Sequence, residues 1–217
     1  MHDKRPPRRR YSRAERERQI LDAAAEVFAE RGYHAASMDA VAERVGVTKP
    51  VLYDHFGSKE GLLLACISRA RQELLTVTSK AVAAGSSQED MVRPGFRAFF
   101  DFLDSQGGSW TLLYEETTKP VGAAVEALEG IRRQQTEFVA GLLGLQAPGA
   151  DTRRLEGYAQ VIVGAAERIA LWRGRRGDIS ADEATEYLMD MVWTGMADKI
   201  DKGVAWSVSR GSMPSER

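Results

Sequence analysis

The chain has 217 residues, 43% of them hydrophobic, one cysteine and a formal charge of −1. That length is enough for a substantial core, arranged as one large domain or as a small one joined to a larger one. The lone Cys66 excludes an internal disulfide framework, and no apolar run approaches the length of a membrane span or a signal-peptide core, so a soluble cytoplasmic protein is expected.

The small total charge hides an asymmetry. Residues 1–18 carry a net +5, from Lys4, Arg5, Arg8, Arg9, Arg10, Arg13, Arg16 and Arg18 against Asp3, Glu15 and Glu17, which leaves −6 for the rest. A basic end on an acidic body marks an interaction tail, read here as a flexible arm over residues 1–12. A DNA-packaging protein would need basic charge across the body, and this body is acidic.

Helical periodicity then runs through nearly the whole chain. Ser12-Arg-Ala-Glu15 is a capping box, and Ile20, Ala24, Val27 and Phe28 recur at helical spacing until Gly32. Ser37 is placed to cap a short helix with a buried face of Met38, Val41, Ala42 and Val45, and Gly46 turns the chain. Thr48 caps a third helix reaching about His55, with Val47 and Leu52 at the positions of a hydrophobic staple. Gly57 breaks that helix and Ser58 caps a long fourth one. Further helices are expected at about 88–105, 109–116, 118–145, 152–175 and 181–202. Ser180-Ala-Asp-Glu183 is a second capping box, opening the last of them, and a polar tail covers 207–217. With no period-two pattern and no internal repeat, the fold class is all-α.

Two short helices joined through a glycine turn, with a supporting helix before them, form the pattern of a helix-turn-helix. The second helix of such a unit lies in a major groove with its N-terminal residues at the base edges. Here that N-terminus is Thr48-Lys49-Pro50-Val51. The Thr48 hydroxyl and the Lys49 ammonium can meet phosphate or base, and Val51 can touch a thymine methyl. Tyr53, His55 and Lys59 follow at spacings that reach flanking phosphates. Arg8, Arg9 and Arg10 suit an adjacent minor groove, the alternative being an idle solvated tail. Phe56 and Tyr53 have a second reading as core residues of a three-helix head. The sequence Thr-Lys-Pro-Val recurs at residues 118–121, but there it follows Tyr-Glu-Glu-Thr and has no short helix and glycine turn before it. That second copy starts a helix and nothing more.

The stretch "ILDAAAEVFAERGYHAASMDAVAERVGVTKPVLYDHFGSKEGLL", within residues 13–65, resembles the TetR (tetracycline-repressor) family of bacterial transcription regulators. The helix, the "RGY", the short helix, the "GV" and the "LYDHFGSKEGL" all stand at the family's spacing. The resemblance implies DNA contacts at Ser37, Thr48, Lys49, Pro50, Tyr53, His55 and Lys59. It also implies a helix-turn-helix head over 13–57, continuing into a connecting helix from 58, and a helical effector-binding and dimerisation domain over 58–206. The function implied is that of a repressor, binding a palindromic operator as a dimer and released by a small-molecule effector. The alternative is an all-helical enzyme, or a ligand-binding protein without DNA function.

In the body, residues 96–114 hold six of the seventeen aromatics. Large aromatics with few polar groups suit a small-molecule cavity. Phe99, Phe102, Trp110, Tyr114 and Phe138 are the candidate walls for a partly apolar effector, with Glu167 as a lone carboxylate; plain core is the alternative. The last two expected helices are apolar on more than one side, which predicts burial by more than their own domain. Val161, Ala165 and Leu171 on one, with Met189, Trp193 and Met196 on the other, are the candidate homodimer interface, against a thick monomer core. His2, His34 and His55 are the only histidines, and none stands at metal or triad spacing to another ligand or nucleophile. No enzymatic activity, metal or cofactor is expected. The expected partners are double-stranded operator DNA, an effector and a second copy of the chain, with no membrane.

Overall fold

The computed structural model describes residues 11–105 and 123–194, and every regular element within them is helical. In chain order these are α1 (Arg13–Ala35), α2 (Met38–Val45), α3 (Lys49–Phe56), α4 (Lys59–Ala83), α5 (Gln88–Ser105), α6 (Ala123–Gln146), α7 (Thr152–Arg176) and α8 (Ala181–Leu188), which continues as one π-helical turn, Met189–Trp193. The basic arm, the expected helix at 109–116, the second Thr-Lys-Pro-Val and the polar tail lie outside the described residues.

The chain forms two compact units, one of residues up to Glu73 with 103–128, the other of 74–102 with residues from Glu129 onward. The division falls inside α4, the helix into which the head was expected to continue from residue 58. The reason is burial: Leu62, Leu63, Cys66, Ile67 and Ala70, all on the first half of α4, belong to the core of the first unit.

In that unit Ser12 opens α1 with both halves of its capping box. Its hydroxyl accepts from the Glu15 N–H at 3.2 Å and the Glu15 carboxylate accepts from the Ser12 N–H at 2.7 Å. Ile20, Leu21, Ala24, Val27 and Phe28 form the buried stripe of α1, at the spacing of an amphipathic helix. Gly32, at φ 71°, kinks α1 into a final turn, a conformation that only a residue without Cβ enters cheaply. Met38, Val41 and Ala42 of α2 and Leu52 of α3 complete the packing. Arg44 of α2 binds Glu26 at 3.0 Å and Glu30 at 2.7 Å, both on α1, and its guanidinium holds the Glu30 carboxyl below the usual range. Burial pushes the Cys66 thiol up to about 12. Alkylation of Cys66 is therefore expected only after unfolding; rapid modification of the folded chain, read by mass spectrometry, would contradict this packing.

The second unit has its core in Phe96, Phe99 and Phe100 of α5, Ile131 of α6, Ile162, Val163 and Ala166 of α7, and Ala184 and Leu188 of α8. Phe100 is fully buried, edge-on to Phe99 at 5.2 Å and 5.8 Å from the Arg173 guanidinium. The same Arg173 donates to the Ile179 carbonyl at 2.7 Å and so closes the turn between α7 and α8. Arg93 and Arg97 of α5 pair with Glu186 and Asp182 of α8. Each set is one helical turn apart, so the ladder fixes register, though exposed pairs add little energy. Ser180 caps α8, accepting from the Glu183 N–H at 3.1 Å, while the Glu183 carboxylate takes the Tyr187 hydroxyl at 2.9 Å. Only half of the second expected capping box forms.

Candidate functional site

Leu52 is fully buried and fixes the rotation of α3. At 3.6 residues per turn, Pro50 and Asp54 lie about 200° from it, on the opposite face, with Tyr53 beside them. All three are exposed, Tyr53 at 44%. Tyr53 is thus a surface residue and not a core one, whereas Phe56 is half-buried. Val51 is half-buried as well.

Thr48 departs from its expected capping role. Pro50 has no N–H to offer, and the next donor, the Val51 N–H, goes to the Thr48 carbonyl at 3.0 Å. The Thr48 hydroxyl makes no capping bond and stands exposed at the start of the reading helix. Ser37 does cap α2, accepting from the Ala40 N–H at 3.1 Å, and its own proton remains able to donate to a phosphate.

Lys49 pairs with Asp39 of α2 at 2.8 Å, with side-chain exposures of 44% and 69%. That hydrogen bond raises the pKa of the Lys49 ammonium. A pair so exposed is weak and can be exchanged for a phosphate. Asp39→Ala is therefore expected to raise DNA affinity by up to about fivefold with little change in stability. Titration of a labelled duplex checks this, and an unchanged affinity would mean that Lys49 does not reach DNA.

Lys59, an expected phosphate contact, is held by acceptors of its own unit. Its ammonium donates to the Ala36 carbonyl at 2.7 Å and the His34 carbonyl at 3.2 Å, and lies 4.5 Å from the Tyr33 ring centre. These bonds close the C-terminal end of α1. His55 is half-buried beside Phe56, with its Nδ1 buried and unpartnered among the described residues, so Nε2 is the nitrogen left to face solvent. Arg8, Arg9 and Arg10 lie outside the described residues.

The second unit holds a partly open cavity of about 250 Å³. Leu75, Thr78 and Val82 of α4, Met91, Phe96 and Phe99 of α5, Phe138 and Leu142 of α6, Ile162 and Ala166 of α7, and Val192 and Trp193 of the π turn are among its walls. Among the described residues no ionisable side chain lines it; its polar residues there are Thr78, Gln135 and Gln146. The Thr78 hydroxyl is already bound to the Leu74 carbonyl at 2.7 Å, and the Gln146 amide lies 3.9 Å from the Met91 sulfur. At Gly95, also on the wall, a Cβ would come within 3.0 Å of a Val82 methyl, so α5 approaches α4 closely there.

Of the expected effector residues, Phe99 and Phe138 line this cavity. Phe102 is buried core away from its walls. Glu167 follows the wall residue Ala166 but turns to Arg132 of α6, whose Nε it meets at 3.0 Å. Trp110 and Tyr114 lie outside the described residues. The expected dimer set also divides. Val161 is 64% exposed, Ala165 and Leu171 are half-buried, and Met196 lies outside the described residues. Met189, at 2% exposure, is core of its own unit, and Trp193 is a cavity wall. Only Met189 is fully covered within its own subunit; Trp193 stays half-buried. The walls on α4 and the π turn, and those on α6 other than Phe138, carry no distinct signal, since broad apolar helices look alike in sequence whether they pack on side chains or around a void. The one local signal is Pro94-Gly95, a pair inside the continuous helix α5 whose glycine lies on the cavity wall.

A buried Leu52 that turns three exposed residues of a short helix outward, behind a glycine turn, defines a helix-turn-helix DNA-reading module. The family description "Bacterial regulatory proteins, tetR family" matches residues 20–66, and "Tetracyclin repressor-like, C-terminal domain" matches residues 88–195. The transcriptional activator FasR of Mycolicibacterium smegmatis is 35% identical over 192 residues, which are 87% of this chain and 86% of that one. A TetR-like transcriptional regulator from Rhodococcus sp. RHA1 is 34% identical with a TM-score of 0.70, over 87% of this chain and 99% of that one. The regulator FadR from Bacillus subtilis, solved in complex with stearoyl-CoA, has a TM-score of 0.70 at 18% identity, over 82% of this chain and 98% of that one, a likeness of fold alone. The chain belongs to the TetR family of bacterial transcription regulators, and its head is a DNA-binding helix-turn-helix. Among the described residues no helix is long and apolar enough to cross a membrane.

Proposed function

We propose that the chain controls transcription as a homodimer that binds a palindromic operator and is released by an uncharged, largely apolar effector held in the second unit. The observation that carries the effector class is the cavity wall, which has no ionisable side chain among the described residues. Burying a ligand charge there would carry a desolvation cost with no partner to offset it. Any charged group on the effector therefore stays outside the cavity.

Dimerisation is supported by the outward face of α7. Gly157, Val161, Gly164, Arg168 and Trp172 recur at helical spacing and are all exposed. A Cβ at Gly157 or Gly164 would meet nothing within 4 Å, so no packing within the subunit calls for glycine at either place. Small residues on an unpartnered face let a second helix come close. Trp172 stacks near Tyr187 at 6.1 Å and extends this face onto α8.

The effector and DNA readings are joined by α4, whose first half is core of the head and whose second half supplies Leu75, Thr78 and Val82 to the cavity. An effector that favours the DNA-incompetent state must in turn be weakened by operator to the same degree, typically about 1–3 kcal/mol. Ala166→Phe places a ring in the cavity. The expected result is a chain that still binds operator and no longer responds to effector. Loss of both activities together, with a lowered melting temperature, would mean the cavity cannot be filled without disturbing the core.

The arm supports DNA binding separately. Deleting residues 1–10 removes five cations, so the salt dependence of binding is expected to become shallower by up to about 4.5 in log–log slope. An unaltered slope would make the arm a solvated tail. A second reading of the regulatory sign comes from the Mycolicibacterium relative, which is named an activator. Occlusion of the promoter gives repression, whereas an operator upstream of it permits activation. Footprinting on the DNA beside the chain's own coding sequence, with a reporter in the presence and absence of the chain, tests the function and its sign. No protected site anywhere in that DNA would count against the proposal.

A further inference from the structure

We infer that Asp54 is a specificity-determining residue that reads the amino group of a cytosine in the major groove, an inference that rests on the DNA-binding reading above. Asp54 stands opposite the buried Leu52 and one helical turn beyond Pro50, on the most outward line of α3. Its carboxylate has no hydrogen bond or ion pair among the described residues. The residues sharing that face, Pro50 and Tyr53, carry no charge. The Lys and Arg side chains of α2, α3 and the start of α4 are engaged elsewhere: Arg44 with Glu26 and Glu30, Lys49 with Asp39, and Lys59 with the carbonyls that end α1.

A bare carboxylate on a DNA-facing surface is repelled by phosphate, so its place there needs compensation from a base edge. The major groove offers hydrogen-bond donors only at the exocyclic amino groups of cytosine and adenine. Adenine sets an N7 acceptor beside its amino group, which a carboxylate cannot satisfy, whereas cytosine presents its N4 amino group alone. Guanine and thymine offer acceptors, O6 and N7 or O4, that repel the carboxylate. Asp54 thus accepts from cytosine and rejects the other three bases at one position of each half-site.

The test is selection from a randomised duplex library by the full chain, in parallel for wild type, Asp54→Ala and Asp54→Asn. Asp54 is exposed and alanine is the better helix former, so both variants fold. Wild type is expected to enrich a half-site with one strongly preferred cytosine. Asp54→Ala should lose preference at that position alone and bind the wild-type site about tenfold or more weakly. Asp54→Asn should move the preference there to adenine, which an amide satisfies through N6 and N7. The inference is overturned if Asp54→Ala keeps the same motif and binds every sequence more tightly, since the carboxylate would then be a uniform repulsion. Failure of the DNA-binding reading itself looks different: wild type would enrich no motif, and the role of Asp54 would fall with it.

Discussion

A chain carrying Val161→Arg is expected to sediment as a monomer and to bind operator about 10²- to 10⁴-fold more weakly than wild type, with its helical content intact. Val161 is 64% exposed in the single subunit, so an arginine there meets water and does not disturb the core of α7. In a dimer the same side chain would bring a charge, and its mirror image, into a face of Gly157, Gly164 and Trp172 with no carboxylate to receive it. Removing an unpaired charge from water is costly enough to undo a modest interface. The loss in operator binding follows from linkage: two heads held together make the second contact intramolecular, and separating them forfeits that gain without altering any single contact. Sedimentation and gel shift on this one variant decide the matter. A variant that stays dimeric would place the interface elsewhere than on α7.

Leu52→Ala is expected to give the opposite pattern, a dimer that has lost its DNA affinity. Leu52 is the only residue of α3 that is buried, at 0% exposure. Truncating a leucine in such a site costs about 2–5 kcal/mol, through lost burial and the cavity left behind. The helix itself has eight residues, too few to persist in water without tertiary support. With its anchor gone, α3 can rotate or fray, and Thr48, Lys49 and Tyr53 no longer arrive at the groove together. The head should unfold at lower temperature while the second unit, which has a separate core, keeps its own transition. Unchanged operator affinity in Leu52→Ala would mean that α3 is not the element presented to DNA.

The two variants also show what the sequence made legible. The head could be read because its signals are local: capping hydroxyls at Ser12 and Ser37, glycines at the two turns, and an apolar stripe of fixed period. Even there, the fate of individual cations was not legible. Lys59 turns back to the carbonyls of α1 and Lys49 to Asp39, because such choices depend on contacts between elements rather than on spacing. Thr48 was misread for a smaller reason, that Pro50 removes one capping donor and the Thr48 carbonyl takes the other.

The second unit was legible as helices but not as a site. An apolar residue facing a void and one facing another side chain have the same sequence signature, so Phe99 and Phe102 could not be told apart. The π turn at Met189–Trp193 gave no sequence signal. It carries Val192 and Trp193 to the cavity wall. Glu167 looked like a polar group for a ligand because its partner, Arg132, lies 35 positions earlier on a different helix.

The most direct measurement of the central claim is the composition and specificity of the complex with a duplex recovered by selection, read by native mass spectrometry and by competition with a scrambled duplex of equal length. Two chains per duplex, or an even multiple, are expected, with a preference over the scrambled competitor of about 10³-fold or more that weakens steeply with salt. A complex of one chain per duplex, or equal affinity for the scrambled sequence, would contradict the account of a dimeric, sequence-reading regulator.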